Sequence, residues 1–176
     1  VVDPLIGTTF AVTNSLSDYQ APDIAASAGA AVTLSGSASL VVFEREISAT
    51  DRDIRALNLT DSGSIDGSLL LVTTGTALDT APAVGAVFVH AYYVVVYERG
   101  GYLMARPVSM PVFTLPSTVG AEVTVVATAD TMGAPDVGGE LTNVDNEVVC
   151  VYRNLTQDRI QAQQISCTST GALTAF

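Results

Sequence analysis

His90 is the only histidine in the chain. A Ser-His-Asp hydrolase centre would hang on that one residue, and a metal site would have no second imidazole to use. It lies in the apolar run Val87-Phe88-Val89-His90-Ala91-Tyr92, where a hydrogen-bonded structural imidazole is expected, and no Gly-x-Ser-x-Gly elbow accompanies it. Glu44 and Glu98 are the residues from which the paired carboxylates of a glycosidase could be drawn. They occupy matching places at the ends of two apolar runs, beside Arg45 and Arg99, and the third such place holds Arg153. That distribution predicts solvation of strand ends or Glu-Arg pairing. The sialidase-type Ser-x-Asp-x-Gly-x-Thr-Trp box is absent, there being no Trp, and so are the glycine-rich phosphate loops. No catalytic residue is assigned, and a secreted hydrolase would need its catalytic groups elsewhere.

Four further sets of side chains could bind or be modified. Asp51 and Asp53, Asp61 and Asp66, and the cluster Asn143, Asp145, Asn146 and Glu147 supply oxygen ligands of the kind calcium prefers. None fits an EF-hand loop, Arg52 interrupts the first, and the same residues are ordinary turn formers. Calcium is the one cofactor considered. Tyr92, Tyr93, Tyr102 and Tyr152 could line a pocket for a carbohydrate or protein ligand. Cys150 and Cys167 are the only cysteines; they flank an expected hairpin, so they are either bridged or two small buried thiols. Asn58-Leu59-Thr60 and Asn154-Leu155-Thr156 match the N-glycosylation pattern, with Asn154 in an expected turn.

Charge narrows the partners. The net charge is -11, and all the basic residues are arginine: Arg45, Arg52, Arg55, Arg99, Arg106, Arg153 and Arg159. Such a chain repels nucleic-acid phosphates and anionic membranes. No apolar run reaches the length of a bilayer span, so membrane insertion is not expected. The opening Val1-Val2, without Met, reads as a mature product or a piece of a longer chain. At this length the chain can bury about two-thirds of its extended surface in a real core.

The elements that must position these residues are strands. Short runs rich in Val, Thr, Ile, Tyr and Phe alternate with Gly, Asp, Ser and Pro clusters, and no stretch holds a capped period of 3.6. The nearest to a helix is the Ala-rich Ile24 to Ala31. Three marks recur in one order. Ala21-Pro22, Ala81-Pro82 and Ala134-Pro135 come first; then apolar runs ending in Phe43, Tyr97 and Tyr152; then Ile54-Arg55-Ala56, Leu103-Met104-Ala105 and Ile160-Gln161-Ala162. The spacing is about 55 residues. Proline lacks an amide donor, so it is expected at the first position of a strand. The apolar run after it is expected to be buried on both faces between neighbouring units.

This pattern resembles a family of bacterial extracellular β-propeller repeat proteins, in which a Pro-start strand leads to a Val-Val-aromatic strand, an acidic turn and an Ile-x-Ala-type strand. The resemblance implies an all-β chain, a partial or complete β-propeller built from about three four-stranded antiparallel repeats. Residues 1–20 would be the tail of a preceding repeat, 21–80, 81–133 and 134–176 the three repeats, all in one structural domain. The expected Trp is replaced by Phe43, Tyr97 and Tyr152, and the segment Pro107 to Thr128 departs from the pattern. A β-sandwich or jelly roll is the alternative fold.

Three units do not close a ring, so a homo-oligomer or other segments of a larger protein are expected as partners. The resulting expectation is a non-enzymatic structural or assembly protein of a cell surface or extracellular fibre. A carbohydrate- or protein-binding module of a secreted protein is the alternative.

Overall fold

A computed structural model describes residues 19–26, 37–60, 64–110, 117–127, 132–139 and 146–176. The protein is all-β: among the described residues twelve strands form three four-stranded antiparallel sheets. The first holds β1 (Tyr19–Ala26), β2 (Ser37–Ser48), β3 (Asp51–Thr60) and β4 (Ile65–Leu71) in chain order. The second holds β5 (Asp79–Val87), β6 (Tyr92–Arg99), β7 (Tyr102–Ser109) and β8 (Val123–Val126), again in order. The third holds β9 (Met132–Gly138), β10 (Glu147–Asn154), β11 (Arg159–Cys167) and β12 (Leu173–Ala175). A single 3-10 turn, Phe88–His90, is the only helical element among the described residues, and no helix there is long and apolar enough to cross a membrane. Of the Ala-rich segment, Ile24 to Ala26 belong to β1 and the rest lies outside the described residues, as does the N-terminal stretch read as a preceding tail.

Local chemistry explains the hairpins. β6 and β7 pair from Arg99 opposite Tyr102 around Gly100 and Gly101, whose φ values of 58° and 85° are the left-handed pair that a two-residue turn requires. In the third sheet Asn154 faces Arg159 across a longer turn, where the Gln157 amide donates to Asn154 Oδ1 at 2.9 Å.

The recurring marks sit at equivalent positions. In every sheet the aromatic of the second strand faces the middle residue of the third-strand mark: Phe43 opposite Arg55, Tyr97 opposite Met104, Tyr152 opposite Gln161. The Ala-Pro pairs differ from expectation. Pro22, Pro82 and Pro135 lie in the middle of their strands, not at the start. Each follows an alanine in the left-handed region, Ala21 at φ 45°, Ala81 at 49° and Ala134 at 45°. At each of the three places the pairing register skips. β1, β5 and β9 are edge strands, so proline's missing amide costs no ladder bond there, and the bulge absorbs the irregularity.

The sheets stack face to face. Leu40, Val42, Ile54 and Ala56 of the first meet Val84, Tyr93, Val95 and Tyr97 of the second in one core cluster. Ala83, Val94, Val96, Leu103 and Ala105, on the second sheet's opposite face, meet Val137, Val148, Cys150, Tyr152 and Ile165 of the third in another. The strand β6 is therefore buried on both faces, as expected. First strands run beside first strands, β1 against β5 and β5 against β9. The second approach is so close that a Cβ on Gly85 would lie 2.5 Å from Val137 Cγ1, and one on Gly139 2.8 Å from the Ala86 amide. The remaining face of the first sheet buries Val41, Phe43, Leu57 and Leu59, with the Tyr19 ring edge-on to Phe43 at 5.0 Å.

Candidate functional site

Most of the arginines are consumed by pairing within the chain: Arg52, Arg55, Arg99, Arg106 and Arg153 each meet a carboxylate. Glu44 is buried, accepts from Arg52 Nη1 at 3.0 Å and, through its other oxygen, from the Ala81 amide at 2.7 Å. The bulge that frees Ala81 from the β5–β6 ladder thus hands its N–H to the preceding sheet. Arg99 grips Asp79 with two bonds of 2.6 and 2.9 Å and reaches Glu122 at 2.8 Å. The Tyr97 hydroxyl also donates to Glu122. Burial works to raise the Glu122 pKa, but the Tyr97 hydroxyl and the Arg99 and Arg106 guanidiniums outweigh it and hold the carboxyl below its ordinary range. Burial, reinforced by the Glu122 hydrogen bond, pushes the Tyr97 phenol above its ordinary range.

The Glu-Arg pairs expected from sequence neighbours are replaced by others: Glu44 pairs with Arg52, not Arg45, and Arg99 with Asp79 and Glu122, not Glu98. Successive residues of a strand point to opposite faces, so neighbours in sequence cannot pair side to side. Glu98, which has no such partner among the described residues, has its pKa raised by burial and then by the nearby Glu44 charge. The two glutamates do come near one another, yet Glu44 is fully engaged as a structural acceptor, which is not the arrangement of an acid and a nucleophile. His90 is half-buried on the 3-10 turn.

The binding candidates do not converge. Tyr93 is wholly buried in the core between the first two sheets, and Tyr152 is buried between the second and third. Tyr92 packs against the second of these clusters, its ring filling the space beside Gly171, while Tyr102 is exposed at the β6–β7 hairpin. Asp53 pairs with Arg55 at 2.7 Å inside the first sheet, and burial raises its pKa. Asp51 lies at the start of β3, Asp66 sits opposite Asn58, and Asp61 lies outside the described residues, as do Asn143 and Asp145. Among the described residues no group of three or more His, Cys, Asp or Glu is placed to hold a metal ion.

Cys150 and Cys167 are buried free thiols. Cys150 faces Gln163, and Cys167 lies further along β11, about 13 Å away at the rise of a strand, well beyond bridging distance. Burial pushes the Cys150 thiol up to about 12, helped by Asp136, and the Cys167 thiol up to about 11. Both glycosylation candidates are turned inward. Asn58 donates to Ser117 Oγ at 2.9 Å and Asn154 to Gln161 Oε1 at 3.0 Å, and both are buried.

What sequence reasoning missed is a surface. Val42 and Val96, each wholly buried by the next sheet, have their equivalent in Val151, which is 41% exposed. Leu40 and Val94 correspond to Val149, exposed by 45%. In the third strands, Ile54 and Leu103 are wholly buried and Ile160 is 68% exposed, while Ala56 and Ala105 are buried and Ala162 is exposed. The ladder fixes these correspondences: Val42 faces Ala56, Val96 faces Ala105, and Val151 faces Ala162. The third sheet therefore presents, uncovered, the same row of side chains that the first two use to receive a following sheet.

One polar contact belongs to the same device. Asp23, beside Val42 in the ladder, accepts the Val84 amide of the following sheet at 2.8 Å. Its equivalent in the third sheet is Asp136, beside Val151 and exposed. The sequence held no clear signal of the uncovered face, because Gln161-Ala162-Gln163-Gln164 in β11 is no more polar than the charged and amide-bearing β3, Asp51–Thr60. Compared with family models, curated proteins and solved structures, the chain finds no match.

Proposed function

We propose that this chain is a non-enzymatic structural or assembly protein of a cell surface or extracellular fibre, acting by stacking four-stranded sheets in series. Its three units are read as blades of a β-propeller, partial within this chain. The observation that carries the reading is the uncovered row Val149, Val151 and Ile160, whose counterparts in the two earlier sheets are all wholly buried by a neighbour. An apolar face of a sheet is stable in water only to the extent that something covers it. The consumption of Glu44, Asp79, Arg99 and Glu122 in internal pairs supports packing over chemistry, because such groups are held rigid and saturated. The dispersal of Tyr92, Tyr93, Tyr102 and Tyr152 removes the main support for a carbohydrate pocket.

The test is light scattering at micromolar concentration beside binding of an apolar-surface dye. Packing predicts either a particle larger than one chain, or a single chain that binds the dye and loses that binding in the Val149→Glu, Val151→Glu double variant. A strict monomer that binds no dye, with its strand content intact, overturns the reading.

A further inference from the structure

Each of the two internal interfaces has a receiving face and an inserted face. The receiving face is built from Leu40, Val42, Ile54 and Ala56 in the first sheet and from Val94, Val96, Leu103 and Ala105 in the second. The inserted face carries the aromatic of the second strand, Tyr97 or Tyr152, and the residue two after the bulge proline, Val84 or Val137. The third sheet owns an inserted face, already buried, and a receiving face, open. From this continuity we infer that the open face of the third sheet, with Asp136, Val149, Val151, Ile160 and Ala162, is the docking surface for a fourth four-stranded sheet of this same repeat.

The inference rests on the stacking function proposed above and names its partner. Polar chemistry agrees with it. Asp136 offers its carboxylate at the place where Asp23 takes the Val84 amide, so the partner sheet must bring an edge strand with an Ala-Pro bulge and a free N–H two residues beyond the proline. Position within the chain argues against a second copy of the molecule as the occupant. The only inserted face such a copy could offer is that of its first sheet; Ile24, the counterpart of Val84 and Val137, is 56% exposed at its edge, but its centre is closed, with Val41, Phe43, Leu57 and Leu59 already buried. The occupant is therefore a further repeat unit whose own inserted face is open.

The second sheet is the best-matched probe, since its Val84 amide is the one an aspartate receives. The experiment compares the full chain carrying Val151→Cys with the same chain extended after Phe176 by a duplicate of residues 72–176, which ends on the same open face. The reporter cysteine is labelled by a thiol reagent; Cys150 and Cys167 are buried and slow. Docking predicts rapid labelling in the original chain and labelling slowed about tenfold or more in the extended one, the protection expected of a covered face that opens only locally. Asp136→Ala in the extended chain is expected to restore part of the rate.

Equal, fast labelling in both chains at every concentration overturns this inference and the stacking function together. Protection already present in the original chain and growing with its concentration overturns the inference alone, because a second copy then covers the face. An appended segment that stays unfolded, seen as fast labelling of its own duplicate cysteines, also overturns it, since the same segment folds against an equivalent face inside the chain.

Discussion

Burial decides what the ionisable residues do. Glu98 and Glu122 are the same residue type, yet their carboxyls move in opposite directions. Burial and the Glu44 charge raise the first, and a hydroxyl with two guanidiniums holds the second down. Linkage gives each a sign. A carboxyl raised by folding stabilises only while protonated, so the contribution of Glu98 is present below the ordinary glutamate range and lost as pH rises through its folded pKa. A carboxyl lowered by folding does the reverse, and the contribution of Glu122 disappears as pH falls. Glu98→Gln is accordingly expected to raise the melting temperature at neutral pH, with the gain vanishing near pH 4 or below, about where an ordinary glutamate protonates. Thermal scans across that range check it; a gain independent of pH would contradict the burial account. The residue types at these positions were legible in the sequence, but their partners were not, because strand neighbours diverge and partners arrive from other strands.

At the scale of the element, the Ala-Pro bulge is the device that makes one sheet grip the next. It takes two residues out of the ladder, holds an alanine at positive φ, and leaves amides pointing off the edge of β5 toward Glu44 and Asp23. A left-handed alanine costs about 1–2 kcal/mol, so the conformation persists only because the surrounding contacts over-determine it. The same side chain should therefore matter in the first sheet and not in the third. Asp23→Ala is expected to destabilise the protein by about 1–3 kcal/mol by orphaning the Val84 amide. Asp136→Ala is expected to change stability by under about 0.5 kcal/mol, because its carboxylate is exposed and meets no further sheet among the described residues. Chemical denaturation of the two variants makes the comparison, and equal losses would show that the aspartates act within their own sheets. The recurrence of Ala-Pro was plain in the sequence, whereas its place inside a strand was not, since the same missing amide suits a strand start and an edge bulge equally.

Across the whole molecule, stability and association are two uses of one pattern. The row Val42, Val96 and Val151 is chemically uniform, and only the presence of a neighbouring sheet separates core from surface. Val96→Ala, which opens a cavity between the second and third sheets, is expected to cost about 2 kcal/mol. Val151→Ala, at the same place in the repeat, is expected to cost under about 0.5 kcal/mol, and denaturant midpoints of the two read the difference. Comparable losses would mean that Val151 is packed in solution. The sequence by itself determined the all-β class, the order of the strands and the three recurring marks, because alternation, turn residues and proline act over a few neighbouring residues. The tertiary structure alone decided which tyrosines are core, that the cysteines are too far apart to bridge, which acids meet which arginines, and which apolar face is left uncovered. Those depend on stacking between sheets whose members are about 55 residues apart, and β6 and β10, alike as apolar runs, differ only in what lies against them.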